Sequence, residues 1–448
     1  MIDLVFAAPQ LSLLRKALHH DELESAAMLL AVPVHISTGW RLLVKEMHVP
    51  AESDYDDRTR ASVRLNGGFC LPIEKKARLN KWSLVYCHTH PRENGPPQFS
   101  YIDDGSEAQL GPYASSRSPG VPHLSLLFGR EQVVVRELGR GVGVRALEIG
   151  ESFNLNYDPS SAERIEAVHD RQIRAFGREG QRVLAGLKVA IVGAGGTGSV
   201  TIQQLAHLGV NSFVIIDPDV VDATNLNRLV GAAASDVGKT AKVEVASRVI
   251  RSLRPKAVIN AVQRDVNEEF VARQLREVDF IFCCTDSHAS RHLVNQLAYQ
   301  YLIPVIDVGV AIHRPADGKV QIAGRVTMLA PGLPCLWCAE QLDPNQVRRE
   351  LLNEEQSRAD PYILGFVGIV QPSVISLNST VASLAVTMFL SAVVGVPSQG
   401  RYLVYDGNRS RVTSLSVDIN SQCNFCSPHS SAGGGDAFPL PVRRNDKS

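Results

Sequence analysis

The sequence predicts an α/β protein: a Rossmann-like, doubly wound sheet in the C-terminal part, preceded by a smaller α/β domain. Three observations carry that prediction. Val189-Ala190-Ile191-Val192 is an apolar run that ends in Gly193-Ala194-Gly195-Gly196-Thr197-Gly198, the pattern of a buried parallel strand turning into a helix. Two further apolar runs, Val214-Ile215-Ile216 and Val278 to Cys284, end in Asp217 and in Thr285-Asp286. Within the first 150 residues a different set of strand-like runs includes one that delivers His88-Thr89-His90.

The chain of 448 residues is long enough for two or three domains. Lys plus Arg number 46 and Asp plus Glu number 46, so no global field steers the chain to nucleic acid or to a membrane surface. The N-terminus lacks a basic region followed by an apolar core, and a cytoplasmic location is expected. Val381 to Val396 is apolar but short for a span, and Ser383, Thr387 and Ser391 interrupt it. It reads as a helix buried against the sheet.

In the N-terminal part, Leu11 to Leu30 begins at helical spacing and becomes continuously apolar. Trp40–Val49, Trp82–Cys87 and Leu124–Leu138 read as strands. Residues two apart on a strand project from one face, so His88 and His90 can meet one metal. A loop containing Asn94-Gly95-Pro96-Pro97 follows, and Ser100-Tyr101-Ile102-Asp103-Asp104 opens a helix. Two imidazoles and a carboxylate leave a fourth zinc position for water, which is the catalytic pattern. Peptide hydrolysis also needs a base and an oxyanion donor, and Ser100 is placed for the second role.

This constellation resembles the JAMM (JAB/MPN) metalloprotease motif. The resemblance implies an α/β protease domain in which His88, His90 and Asp103 hold Zn²⁺ and Ser100 stabilises the oxyanion. It also implies a catalytic glutamate ahead of the first apolar strand. Glu24 fits, in Glu24-Ser25-Ala26-Ala27-Met28-Leu29-Leu30-Ala31, with alanines where the family has glycines; Glu46 is the alternative. Ser100 lies two residues farther from His90 than the common family spacing, and the S-x-x-D spacing selects Asp103 over Asp104.

In the C-terminal part the glycines let backbone approach a phosphate at a helix N-terminus, and Asp217 can accept from ribose hydroxyls. Asn225-Leu226-Asn227-Arg228 and Gly238-Lys239-Thr240-Ala241-Lys242 then add cations. A nicotinamide dehydrogenase has no need of that cluster, whereas a triphosphate does. Asp286 can hold Mg²⁺ against the phosphates. The series GAGGTGS, IDPDVVDATNLNR, GKTAKVE and CTD resembles the adenylation domain of the ThiF/MoeB and ubiquitin-activating enzyme superfamily. That resemblance implies an ATP pocket built from Gly193, Gly195, Gly196, Gly198, Asp217 and Asp219. Asn225 and Arg228 would bind the phosphates, Lys242 the α-phosphate and Asp286 the magnesium. Arg171-Gln172 and Gly180-Gln181 resemble the family's RQ…GQ helix, whose Arg reaches the neighbouring subunit's nucleotide, so Arg171 implies a homodimer.

Cys335-Leu336-Trp337-Cys338 and Cys423-Asn424-Phe425-Cys426 read as a tetrahedral Cys₄ zinc site, structural because it leaves no open position. Cys70, Cys87, Cys283 and Cys284 sit in or beside apolar runs as inert thiols. The expected domains are 1–157 and 158–430, joined near Asp158, with a flexible tail from 431 to 448. Glu340 to Ser379, which spans the crossover segment around Asp360 to Ser373, contains no cysteine, so adenylation without a crossover thioester is expected.

Both resemblances imply one ligand, the C-terminal tail of a ubiquitin-like β-grasp protein. The leading reading is a bifunctional enzyme of a bacterial ubiquitin-like modification pathway. It would adenylate that tail with ATP and Mg²⁺ and process or remove it by zinc-dependent (iso)peptidase action, alongside a conjugating-enzyme-like protein. The alternatives are activation of a sulfur-carrier protein with tail processing, and a non-catalytic scaffold.

Overall fold

The computed structural model describes residues 1–91, 97–130, 132–156, 167–314, 318–352, 372–398, 400–427 and 430–443. Two compact units emerge. The first comprises Met1–Ala162 with Gln300–Leu302 and Ser431–Phe438; the second holds the rest. The join expected near Asp158 and the crossover segment from Asp360 to Gln371 lie outside the described residues.

The first unit runs β1 (Ile2–Ala7), α1 (Ala8–Leu18), β2 (Ala26–Ile36), β3 (Gly39–His48), β4 (Tyr55–Arg58), β5 (Val63–Leu65), α2 (Gly67–Asn80) and β6 (Ser83–Thr89). It continues with α3 (Tyr101–Arg117), β7 (Leu124–Phe128), β8 (Val133–Glu137), β9 (Arg145–Ile149) and β10 (Phe153–Asn156). Eight strands form one sheet in the order β10-β9-β1-β3-β2-β6-β7-β8, while β4 and β5 form a separate ribbon. The continuous apolar run up to Leu30 becomes β2, whose period of two is hidden because both faces are covered. Leu29 and Ala31 join Leu4, Leu11, Leu14 and Phe128 on one side. Met28 and Leu30 join Ile73, Ala77 and Ala114 on the other. β6 lies between β2 and β7, with His88 opposite Ala26 and Leu127.

The second unit begins with α4 (Asp170–Gly186), β11 (Lys188–Val192), α5 (Gly196–Leu208), β12 (Ser212–Ile216), α6 (Lys242–Leu253), β13 (Val258–Val262), α7 (Glu269–Gln274), β14 (Phe280–Cys283) and α8 (His288–Gln300). β15 (Val305–His313), β16 (Gln321–Leu329), α9 (Pro344–Leu351), α10 (Ile375–Val394), β17 (Tyr402–Asp406) and β18 (Arg411–Ser414) follow. The sheet order is β13-β12-β11-β14-β15-β16-β17-β18. In that order the first five strands, β13, β12, β11, β14 and β15, pair in parallel, and β16, β17 and β18 add on antiparallel, which is the expected doubly wound half with an extension. α10 starts at Ile375, earlier than the apolar stretch alone suggested, and at 20 residues it is long and apolar enough to cross a membrane by length and composition. It is nonetheless a core helix: its Phe389 meets Phe280 edge-on at 4.9 Å and Phe282 at 5.5 Å on the sheet.

The tail expected to be flexible from 431 is packed in its described part. In the first unit, Lys45 Nζ donates to the Ala432 carbonyl at 2.6 Å, and Gln300 Nε2 to the Gly435 and Phe438 carbonyls at 2.7 and 2.8 Å. Gly435 is buried at φ +54, where a side chain would press on Val32 and Val34. In the second unit, Arg443 donates to Asp265 and to the Glu350 carbonyl. Composition misled here because this segment is ordered by its backbone groups and not by apolar side chains.

Candidate functional site

The carboxyl ends of β11, β12 and β14 lie side by side where the strand order reverses, the position of a ligand crevice in such sheets, and the glycines after β11 divide by task. Gly193 takes φ +92 and lies so close to Cys284 that a Cβ would sit 2.9 Å from that residue's carbonyl carbon. A Cβ on Gly198 would collide with the Gly193 carbonyl, and one on Gly196 with the Asn378 amide. Around Gly195 nothing lies within 4 Å of that position, and α5, which starts at the next residue, has no side-chain cap. Three glycines therefore serve packing, while the fourth faces open space at an uncapped helix N-terminus, where an anion is favoured. Gly198→Ala is expected to yield little folded protein on circular dichroism, whereas Gly195→Ala should fold and lose nucleotide affinity by calorimetry.

Asp217 is buried, and its carboxylate first serves the backbone: Ala194 N–H donates at 2.7 Å and Asp219 N–H at 2.9 Å. Burial pushes its carboxyl up, partly offset by the Lys242 charge and those two N–H groups. Each oxygen keeps a further lone pair for a ribose hydroxyl. Lys242 opens α6 and its ammonium lies 2.7 Å from Asp219. The Arg228 stem crosses Gly196, and its guanidinium donates to Thr224 O at 2.6 Å. Asn225 is buried and accepts from Asp222 N–H at 3.1 Å, closing its own turn. Asp286 is exposed just past β14, and Arg171 is exposed at the start of α4.

Two residues at this crevice carried no local signal in the sequence. Asn378 of α10 is buried against Gly196 and donates to Ser373 at 3.0 Å. Glu350, on α9, accepts from Ser287 Oγ at 2.6 Å and Ala289 N–H at 2.8 Å, and so caps α8 directly after Asp286. Cys283 and Cys284 are poorly suited to act as nucleophiles, because burial pushes both thiols up, Cys284 to about 12.

In the first unit, β6 ends where His88 and His90 face Asp103 in the first turn of α3. His88 Nε2 lies 3.1 Å from Asp103 Oδ1 and His90 Nε2 3.7 Å from Oδ2. One ligand atom from each falls within 4.8 Å of the other two. Glu24 stands beside them, with Oε1 3.9 Å from His90 Nε2. Glu46 is turned elsewhere, to Lys76 at 2.7 Å. Asp104 pairs with Arg136 at 2.8 Å, so of the two neighbouring aspartates only Asp103 meets the histidines. Ser100 caps α3: its Oγ donates to Asp103 Oδ2 at 2.8 Å and accepts from Asp103 N–H. Burial alone would raise the Asp103 carboxyl, but hydrogen bonds and charge from His88, with the Ser100 groups, hold it well below the carboxylate range. This hard-and-borderline donor set, His₂Asp, fits zinc with a position to spare.

The four knuckle cysteines converge although 84 residues separate the pairs (423 minus 339). Cys335 Sγ lies 3.5 Å from Cys423 Sγ, and Cys338 Sγ 3.4 Å from Cys426 Sγ. A tetrahedron with Zn–S of about 2.3 Å has S–S edges of about 3.8 Å, so a small expansion seats zinc. Cys423→Ser is expected to remove one zinc per chain by metal analysis. It should also lower Tm by about 10 °C, since several kcal/mol of metal-coupled folding energy is lost.

A model of the ThiF family matches residues 169–425. A SAMP-activating enzyme E1 from Haloferax volcanii is 29% identical over 252 residues, covering 56% of this chain and 84% of that one. A sulfur carrier protein adenylyltransferase from Thermus thermophilus is 29% identical over 265 residues, with coverage of 59% and 91%. An Escherichia coli molybdopterin-synthase adenylyltransferase is 28% identical over 262, with coverage of 58% and 95%. Among solved structures, E. coli MccB with ATP matches at 20% identity and a TM-score of 0.46, over 59% of this chain and 75% of that one.

Proposed function

This chain belongs to the ThiF family, and from that premise we propose that its second unit adenylates the C-terminal carboxylate of a small sulfur-carrier or ubiquitin-like β-grasp protein. The observation that supports this most is the crevice itself: an open Gly195 at an uncapped helix, with the Arg228 stem crossing the same glycine turn. Lys242 and Asp219 stand beside Asp217, and Asp286 follows the neighbouring strand. In the reaction a carboxylate oxygen bonds to the α-phosphorus, the bond to the β-phosphate oxygen breaks, and pyrophosphate leaves. Arg228 and Lys242 would neutralise phosphate charge, with Lys242 exchanging Asp219 for the nucleotide. Asp286 would hold Mg²⁺, which offsets the charge that moves onto pyrophosphate.

The relatives are named for SAMP, sulfur-carrier and molybdopterin-synthase activation, which favours carrier activation over a conjugation pathway as the reading for this chain. In the family's dimeric arrangement, Arg171 would reach a second copy's nucleotide. For the first unit we read a zinc-dependent peptidase acting on the same kind of tail, on the strength of the His88, His90, Asp103 and Glu24 geometry. Zinc held there would act as a Lewis acid on the scissile carbonyl and on water. Glu24 would shuttle the proton, and Ser100, rotated from Asp103, would donate to the oxyanion.

The test offers the protein a panel of β-grasp proteins ending in Gly-Gly, each with and without a C-terminal extension, in ATP, Mg²⁺ and Zn²⁺. Mass spectrometry is expected to find an AMP adduct on a mature tail and trimming of an extended one. ATP binding without an adduct on any carrier would rule out the adenylation reading; an untouched extension with zinc bound would rule out the peptidase.

A further inference from the structure

Beside Asp286, on the side away from the glycine turn, lies an ionic triad that the adenylation chemistry above does not use. Asp307, on β15, is fully buried and stands opposite Cys283, the last residue of β14. It accepts from two arginines: Arg291 Nε at 3.2 Å, from α8, and Arg325 Nη2 at 2.8 Å, from β16. Arg291 lies one helical turn past Ser287, to whose carbonyl its N–H donates at 3.1 Å. Both guanidiniums converge on Gly309, where an added Cβ would stand 3.4 Å from one and 3.5 Å from the other.

Two guanidiniums share the Asp307 carboxylate, and Asp286 lies close enough to Arg291 to offset part of its charge. Arg325 Nε is buried without a hydrogen-bond partner among the described residues, although 23% of the side chain is exposed. The side chain as a whole is partly open, so a guanidinium N–H other than Nε can reach an acceptor outside the triad. Adenylation supplies a reason for it. The tail's carboxylate must be brought against a negatively charged α-phosphate, and the two anions repel unless a nearby cation offsets them.

We propose that Arg325 and Arg291, both bonded to Asp307, form a carboxylate-recognition subsite for the free C-terminus of the carrier before it is activated. The ligand class rests on the adenylation reading, while the subsite itself is tested by binding alone. The probe is a fluorescent octapeptide ending in Gly-Gly, made with a free carboxylate and as its carboxamide, and titrated against the full chain with ATP and Mg²⁺ by anisotropy.

The unsubstituted protein should bind the carboxylate about tenfold more tightly than the carboxamide. Arg325→Met keeps the apolar stem and should erase that preference, leaving ATP affinity within about twofold; Arg325→Lys should restore part of it. Equal binding of the two peptides, no binding of the carboxylate form, or a preference that survives Arg325→Met would overturn the proposal. A change confined to Tm would do the same, and reduce the triad to a staple between strands and helix. Parallel ATP–pyrophosphate exchange separates the two ideas, because a preference that holds without any exchange keeps the subsite and removes the adenylation reading.

Discussion

Asp286→Ala is expected to cut ATP–pyrophosphate exchange by about 100- to 1,000-fold while leaving the fold intact. The size follows from where charge moves. Cleavage of the α–β bond places new negative charge on pyrophosphate, and the carboxylate proposed to hold the compensating cation sits on the turn between β14 and α8. The preserved fold follows from exposure: Asp286 faces solvent, and the turn is secured by other groups. Ser287 and Ala289 are both tied to Glu350, and Glu350 is tied to Arg443. An exposed substitution of this kind shifts stability by about 0.5 kcal/mol at most. Asp286→Asn, which keeps the shape and loses the charge, should raise the magnesium needed for half-maximal exchange. Retention of exchange within tenfold of the parent at limiting magnesium would count decisively against this assignment.

What the sequence made legible was local. The glycine turn, the strand ends at Asp217 and Asp286, and the His88-x-His90 pair each depend on neighbours within a few residues, so spacing alone reveals them. Their convergence was legible only through motif resemblance, because it is made by sheet register, such as His88 opposite Ala26. Residues whose partners lie far along the chain left no trace. Glu350 caps a helix 61 residues earlier, and Asn378 packs on a glycine from another helix. Asp307 joins arginines from two elements. The tail was misread for a related reason: a Gly/Ser run carries no apolar pattern, yet its carbonyls are taken up by Lys45 and Gln300. Asp217 and Asn225 also have an unanticipated first duty, since both bind backbone before any nucleotide does.

Glu24→Gln and His90→Ala should fail in different ways, and the difference is the test of the proposed peptidase site. His90 is one of three groups whose ligand atoms lie within 4.8 Å of one another, so His90→Ala should lose zinc from the first unit along with hydrolysis. Glu24 Oε1 stands 3.9 Å from His90 Nε2, beside that set and not inside it. Its backbone is fixed independently of any metal, by Glu24 N–H to Thr59 O at 2.8 Å and Ser25 N–H to Thr89 Oγ1 at 2.9 Å. Gln has the same shape and cannot take a proton at neutral pH. Glu24→Gln should therefore keep full zinc content and Tm while hydrolysis of an extended Gly-Gly tail falls by about 100-fold or more. Zinc analysis of each variant in the Cys423→Ser background counts this site alone, because the cysteine cluster no longer contributes. Zinc lost from Glu24→Gln would make Glu24 a ligand; zinc kept with hydrolysis unchanged would mean that the proton is handled elsewhere.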